Sequence, residues 1–214
     1  MFNETLIAHR GFTKHAPENT IDALRNAIDA GFSWAEVDVQ WSADGVPFLF
    51  HDRNFLRFAG PSDMACHLPW QRIATLSLCH AHSKLAFSPP ALESVLAFVG
   101  QTELGLNLEL KYHRVPDKTT MSKHLASLQR LLHRFAIPQE RLLLTSFSKR
   151  MTSAMRALTP WARLGRLISQ HRDVQPASLT RLFDSNAYST LNIPATLAKA
   201  KTIDWARRNK VEVL

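Results

Sequence analysis

The 214 residues carry 26 basic against 18 acidic side chains, a formal net charge of +8, and are 45% hydrophobic and 21% charged. That apolar share excludes a disordered chain, seven glycines exclude collagen-like and low-complexity architectures, and no apolar run reaches the ~18 residues of a helical membrane span. The positive balance points to anionic partners or to general solubility, and the basic residues, those of 199–210 included, are too scattered for a nucleic-acid footprint.

The N-terminus lacks a basic region followed by an apolar stretch, so no signal peptide is expected. Cys66 and Cys79 do not make a disulfide framework, which predicts a cytoplasmic protein with reduced thiols. Residues 5–9 read as a buried strand. Ile21, Leu24 and Ile28 recur at helical spacing over 19–28, with Gly31 where a C-terminal cap belongs. A strand is expected at 34–39. Asp44-Gly45 then signals a hairpin into a strand at 46–51, which should run antiparallel to its neighbour. Residues 52–90 have weak periodicity and contain Pro61, Pro69, Pro89 and Pro90, so they read as an insertion with one short helix near 69–76. The remaining pattern predicts helices at 91–99, 119–135, 149–158, 175–181 and 195–208, alternating with strands at 104–110, 142–146, 162–168, 187–191 and 211–214.

Strands separated by helices imply parallel pairing through right-handed crossovers, hence an α/β fold. No repeat or linker breaks the chain, so 1–214 is read as one domain with an insertion at about 52–90. No GxGxxG or GxxxxGK[ST] follows the first strand, which argues against a doubly wound nucleotide-binding sheet. A (β/α)8 TIM barrel is favoured. His9, Arg10, Glu36, Asp38, Glu109, Lys111 and Ser146 all fall at C-terminal ends of strands, where barrel enzymes keep their catalytic groups. Counting strands that follow helices gives seven, the last cut short, so the barrel is expected to lack its last strand and helix. An open edge beside the first strand would expose unpaired backbone groups. The chain is therefore expected to be less stable than one extended by about 30 residues, the length of one βα unit, and to self-associate as a homo-oligomer or lose activity.

Glu36 and Asp38 alternate on one strand and share a face, as do Asn107, Glu109 and Lys111 on another. Ionised carboxylates are costly to bury unless they are paired or bind a metal. Three of them converging in a barrel mouth would make a hard-cation site of the Mg²⁺ or Ca²⁺ type, the alternative being two rim salt bridges with Arg10 and Lys111. His9 and His51, both at strand ends, can supply a general acid and a general base near neutral pH. Arg10 and Lys111 would neutralise an anionic group between metal and histidines, which points to phosphoryl chemistry on a small anion.

The ordered motifs His9-Arg10-Gly11, Pro17-Glu18-Asn19-Thr20, Glu36-Val37-Asp38-Val39, His51-Asp52 and Glu109-Leu110-Lys111 resemble those of the glycerophosphodiester phosphodiesterase family. Ser146-Phe147 and Leu191-Asn192 fit later family elements more loosely. The resemblance implies a barrel of the phospholipase C-like phosphodiesterase type and one divalent cation, Mg²⁺ or Ca²⁺. It also implies hydrolysis of small anionic glycerophosphodiesters to glycerol 3-phosphate and an alcohol. Under it, His9 and His51 match the acid–base pair, and Glu36, Asp38 and Glu109 match the metal ligands. Arg10 and Lys111 match the phosphate-contacting cations, and Glu18 and Asn19 match a supporting loop. The glycerol 2-hydroxyl lies beside the phosphodiester, so its attack on phosphorus to close a cyclic phosphate needs little positioning.

Two alternatives remain at this level. A lysophospholipase D-like activity would need an apolar approach, which Phe48, Phe50, Phe55, Leu56 and Phe58 offer unless they are core packing. A catalytically weak phosphodiester-binding protein would fit the short end. The cluster Cys66-His67 and Cys79-His80-Ala81-His82 matches no standard zinc spacing. It is read as a histidine-rich loop serving as a flap beside the mouth.

Overall fold

The computed structural model describes residues 6–79, 85–184 and 188–214. The chain opens with β1 (Ile7–His9), α1 (Ile21–Asp29), β2 (Trp34–Trp41) and β3 (Pro47–Leu49). The insertion holds 3₁₀ turns, α2 (Trp70–Ala74) and a small ribbon of β4 (Leu78–Cys79) with β5 (Ala86–Phe87). Next come α3 (Leu92–Val99), β6 (Gly105–Leu110), α4 (Lys118–Phe135), β7 (Leu142–Ser146), α5 (Lys149–Leu158) and β8 (Arg163–Leu167). The chain continues through α6 (Pro176–Asp184), β9 (Thr190–Asn192), α7 (Ala200–Arg208) and β10 (Glu212–Val213). No described helix is long and apolar enough to cross a membrane.

The main sheet runs β1-β2-β6-β7-β8-β9-β10, every pair along that path parallel, with β3 antiparallel to β2 as the Asp44-Gly45 turn predicts. This is the expected α/β barrel architecture, with the seven parallel strands of the sequence count. Among the described residues no ladder joins β1 to β10. Val37, Val39, Leu106, Leu108, Leu144 and Leu164 form the helix-facing core, packed with residues such as Leu24, Leu96, Leu128 and Met155. The opposite face carries Asp38, Glu109, Thr145, Gly165 and Thr190 in one aligned row of partners across five strands. A Cβ on Gly165 would collide with Thr190 Oγ1 and Thr145 Cγ2, so glycine is what lets these strands close up beneath the mouth.

Two expected helices and one expected role for side chains are altered. The helix at 195–208 is a 3₁₀ turn, Ala195–Leu197, followed by α7. Pro194 starts the turn, its carbonyl accepting from Leu197 N–H, and Lys199 is extended before the new helix begins. The helix near 69–76 spans only Trp70–Ala74 and caps a second hydrophobic cluster. In that cluster Phe48, Phe50, Phe55 and Phe58 are buried while Leu56 is exposed, so four of the five residues suited to a lipid approach are instead packing of the insertion.

One buried histidine lies in this frame. The His124 ring stacks on Trp41 with planes 2° apart, and its Nδ1 shares a 3.1 Å hydrogen bond with the Tyr112 hydroxyl. Burial lowers its pKa, with Asp117 opposing weakly, so folding favours the neutral ring. The unfolded chain then binds more protons, and stability is lost as pH falls below the ordinary value of about 6.5. Urea melts of wild type and His124→Gln should therefore diverge less at pH 5 than at pH 7. A gap between the two midpoints that is constant with pH would contradict this.

Candidate active site

The turn after β1 shapes the mouth. Arg10 and Gly11 both take left-handed backbone, at φ 57° and 77°. A Cβ on Gly11 would stand 2.7 Å from Ala23 Cβ, so glycine lets the turn seat on α1. That turn aims the Arg10 backbone N–H at Glu36 Oε2, 3.0 Å away. Asn19, also left-handed at φ 58°, clamps Asp38 twice: its Nδ2 donates to Asp38 Oδ2 at 2.8 Å, and its Oδ1 accepts from Asp38 N–H at 2.9 Å. The Thr20 hydroxyl caps α1 by accepting from Ala23 N–H, which holds Asn19 at the helix entry.

Glu36, Asp38 and Glu109 converge as the alternation predicts. Each offers one carboxylate oxygen, and these lie within 4.8 Å of one another. All three are buried. Burial, then the charges of Asp38 and Glu109, push the Glu36 pKa well above the usual carboxylate range. Glu109 is raised by burial against the pull of Lys111. Glu36 Oε1 is shut from solvent without a hydrogen-bond partner. Lys111 Nζ bridges Asp38 Oδ1 at 2.7 Å and Glu109 Oε1 at 2.8 Å, the second contact being an ion pair without hydrogen-bond alignment. Burial would lower the Lys111 pKa, but these two carboxylates raise it.

The histidines differ in their support. His9 ends β1 with 74% of its side chain exposed and Nε2 3.9 Å from Glu36 Oε2. Partial burial and then the Arg10 charge lower its pKa. His51 is held on three sides. Its Nδ1 meets Asp52 Oδ1 at 2.7 Å, and its carbonyl meets His113 Nε2 at 2.7 Å. Gln40 Nε2 donates to the carbonyls of Phe50 and Asp52 that flank it.

Arg10, Glu18 and Asp52 are tied together by Arg57, a residue absent from the sequence-level set. Arg10 Nη1 donates to Glu18 Oε1 at 2.8 Å, and Arg10 Nε lies 3.4 Å from Asp38 Oδ2. Arg57 grips the same Glu18 with both terminal nitrogens, at 2.6 and 2.9 Å, and reaches Asp52 with Nε at 2.5 Å. For Glu18 and Asp52 alike, burial would raise the pKa, but Arg57 leads the groups that lower it. The chain thus links Arg10 to His51 through Glu18, Arg57 and Asp52. The sequence carries only a faint sign of Arg57, an arginine five residues past Asp52 in a segment with no periodicity to place it. Gln40 was equally unmarked, although it shares the β2 alternation with Glu36 and Asp38. Every residue of the sequence-level set lies at this mouth. Cys66 is half-buried and Cys79 exposed, and neither is in a disulfide. His80 and His82 lie outside the described residues, so the expected flap falls only in part, at Cys66, His67 and Cys79, on described positions.

A cluster of carboxylates, two histidines and two cations at strand ends is suited to binding a cation with a phosphorylated ligand and moving protons beside it. Comparison with known proteins agrees. The model of the glycerophosphoryl diester phosphodiesterase family matches residues 9–213. Bovine glycerophosphodiester phosphodiesterase 1 is 38% identical over 121 residues, which are 55% of this chain and 37% of that protein. A glycerophosphodiester phosphodiesterase of Caldanaerobacter subterraneus is 26% identical over 76% of this chain and 65% of its own. The chain spans only about a quarter to a third of the mammalian relatives' length. An Oleispira antarctica phosphodiesterase, solved with the product sn-glycerol-3-phosphate, superposes with TM-score 0.84 and 27% identity, over 98% of this chain and 82% of that one. A Silicibacter pomeroyi structure with TM-score 0.87 and 20% identity, covering 98% and 81%, shares the fold.

Proposed function

The chain belongs to the glycerophosphoryl diester phosphodiesterase family, and from that premise we propose that it hydrolyses glycerophosphodiesters to glycerol 3-phosphate and an alcohol in a metal-dependent reaction. The observation that carries the reading is the convergence of two histidines and a buried carboxylate triad on one barrel mouth. Glu36, Asp38 and Glu109 would hold Mg²⁺ or Ca²⁺. Their spacing is within the roughly 4.6–5.2 Å that separates opposed oxygens around Ca²⁺, and the unpartnered Glu36 Oε1 is a buried acceptor that a cation would satisfy. Bound there, a divalent cation lowers the pKa of a substrate hydroxyl and offsets charge on the phosphoryl oxygens.

The chain's own residues supply the proton transfers. The substrate's 2-hydroxyl forms a bond to phosphorus as one histidine takes its proton. The bond to the leaving alcohol breaks as the other histidine protonates that oxygen. Water then opens the cyclic phosphate with the roles exchanged. Asp52 fixes the His51 ring at Nδ1 and leaves Nε2 as its reacting nitrogen. Arg10 and Lys111 contact the phosphate, and Glu18 and Asn19 hold Arg10 and Asp38 in place. We propose a cytoplasmic location, the reading that a chain with two cysteines in 214 residues favours.

Glycerophosphocholine turnover with Mg²⁺ or Ca²⁺, and its loss in chelator, is the test. Saturating cation should also raise the melting free energy by about 2.7 kcal/mol at a hundredfold excess over Kd. Turnover that persists in chelator would remove the metal from the reading. Bis(p-nitrophenyl) phosphate lacks the 2-hydroxyl and should be a much poorer substrate. Comparable kcat/KM for the two would favour attack by water.

A further inference from the structure

His51 stands on a stretch of chain that belongs to no strand. β3 ends at Leu49, and among the described residues the last backbone bond from this segment to β2 runs from the Phe50 N–H to the Asp38 carbonyl, at 3.1 Å. Beyond that point a side chain takes over. Gln40 is 3% exposed on β2, and its amide spends both hydrogens here: Nε2 donates to the Phe50 carbonyl at 2.7 Å and to the Asp52 carbonyl at 2.8 Å. The carbonyl between them accepts from His113 Nε2 at 2.7 Å, in the exposed loop after β6. The two hydrogens of a planar amide keep a fixed splay, so the carbonyls on either side of His51 are held at one spacing and one height above β2.

The anchor of this bracket is the strand that carries the metal ligands. Glu36, Asp38 and Gln40 alternate along β2 and share its inner face, and the first two belong to the carboxylate triad. β2 is bonded to β1, β6 and β3, so it is a rigid reference. Gln40 therefore ties the otherwise irregular chain at His51 to the same element that places two of the three carboxylates. A water or a loop N–H could satisfy the two carbonyls, but neither would fix their distance from the triad. That distance matters, because a misplacement of about 1 Å at a reacting group can cost about 10²-fold in rate.

We propose that Gln40 is a positioning residue for the reaction, acting through the backbone on both sides of His51 to set the distance between that histidine and the metal triad. The proposal rests on the hydrolytic reading for the part that His51 plays. Gln40 itself moves no proton, because a carboxamide does not titrate and both of its donor hydrogens are spent on the two carbonyls. The division of labour is clear: Asp52 fixes which nitrogen of His51 reacts, and Gln40 fixes where that nitrogen stands.

The test is a double-mutant cycle. Gln40→Met keeps an unbranched side chain of similar length and removes both donors. It should lower kcat for glycerophosphocholine by about 10–100-fold. KM and the cation-induced rise in melting temperature should stay close to wild type, because Arg10, Lys111 and the triad keep their own partners. In a His51→Ala background the same substitution should cost no further kcat, whereas a merely structural role would lower kcat in both backgrounds alike. Gln40→Asn keeps the amide but is one carbon too short to span both carbonyls. It should show a smaller loss of the same kind, and it takes the place of Gln40→Met in the cycle if a melt shows that variant unfolded. Wild-type kcat, a defect confined to KM, or equal losses in the two backgrounds would overturn the proposal. A separate arm needs no turnover: in crystal structures of wild type and Gln40→Asn, the His51 ring should shift by about 1 Å or more relative to the Glu36, Asp38 and Glu109 carboxylates. If wild type hydrolyses no glycerophosphodiester, the hydrolytic reading fails while this comparison still judges Gln40, and an unmoved ring would overturn its role.

Discussion

Replacing His9 or His51 with alanine is expected to lower kcat for glycerophosphocholine by about 10²–10⁴, the range for losing a general acid or base. Neither change should unfold the chain, because His9 is largely exposed and the His51 ring is held mainly by Asp52. The two losses should differ in kind. His51 belongs to the linked charges that run through Asp52, Arg57 and Glu18 to Arg10, so its removal also leaves Asp52 with only Arg57. Arg57→Lys should therefore mimic a partial His51 defect, lowering kcat more than it raises KM. A lysine cannot grip Glu18 with two nitrogens and Asp52 with a third. Near-wild-type kcat in His9→Ala or His51→Ala would take that histidine out of the proton transfers. A defect in Arg57→Lys confined to KM would confine Arg57 to binding.

Glu36→Gln is expected to separate stability from activity. In the metal-free chain Glu36 faces two more carboxylates in a buried space, and its Oε1 has no partner. The neutral amide keeps an oxygen for the Arg10 N–H while relieving the repulsion, so the metal-free melting temperature should rise. Turnover should move the other way. Losing one of three charged ligands forfeits several kcal/mol of transition-state stabilisation, on the order of 10²–10³ in rate. The cation-induced rise in melting temperature should shrink with it. A variant as strongly stabilised by the cation as wild type would show that Glu36 is not a ligand, and one less stable without metal would show that repulsion at Glu36 does not limit the fold. Asp38→Ala is the harsher comparison. Asp38 is 1% exposed and faces Asn19, Arg10 and Lys111, so removing it takes one of two carboxylates from each half-buried cation and the acceptor from the Asn19 amide, and should destabilise the fold as well.

Much of this site is written into local sequence. Period-two alternation put Glu36 with Asp38, and Asn107 with Glu109, on the inner face of β2 and β6. The structure pairs those strands so that Asp38 meets Glu109. The Asp44-Gly45 turn was likewise enough to make β3 antiparallel. These features follow from steric rules that act over a few residues, which is why they can be read without a partner in view. The break that separates the 195–197 turn from α7 was not readable in the same way. An apolar spacing continues across it, and the break shows only in the extended backbone of Lys199 between the turn and α7.

The sequence alone determined the order of elements, the parallel α/β plan and the charged residues at the strand ends, but not Arg57 or Gln40. Tertiary structure alone decided how their charges are shared. Arg57 and Glu18 lie 39 residues apart, and Lys111 and Asp38 lie 73 apart. No periodicity connects such positions. The insertion's path is set by its own aromatic cluster of Phe50, Phe55 and Phe58, which delivers Arg57 to the histidine side of the mouth. Backbone geometry is a short-range property, whereas the pairing of buried charges depends on which distant segments the hydrophobic packing brings together.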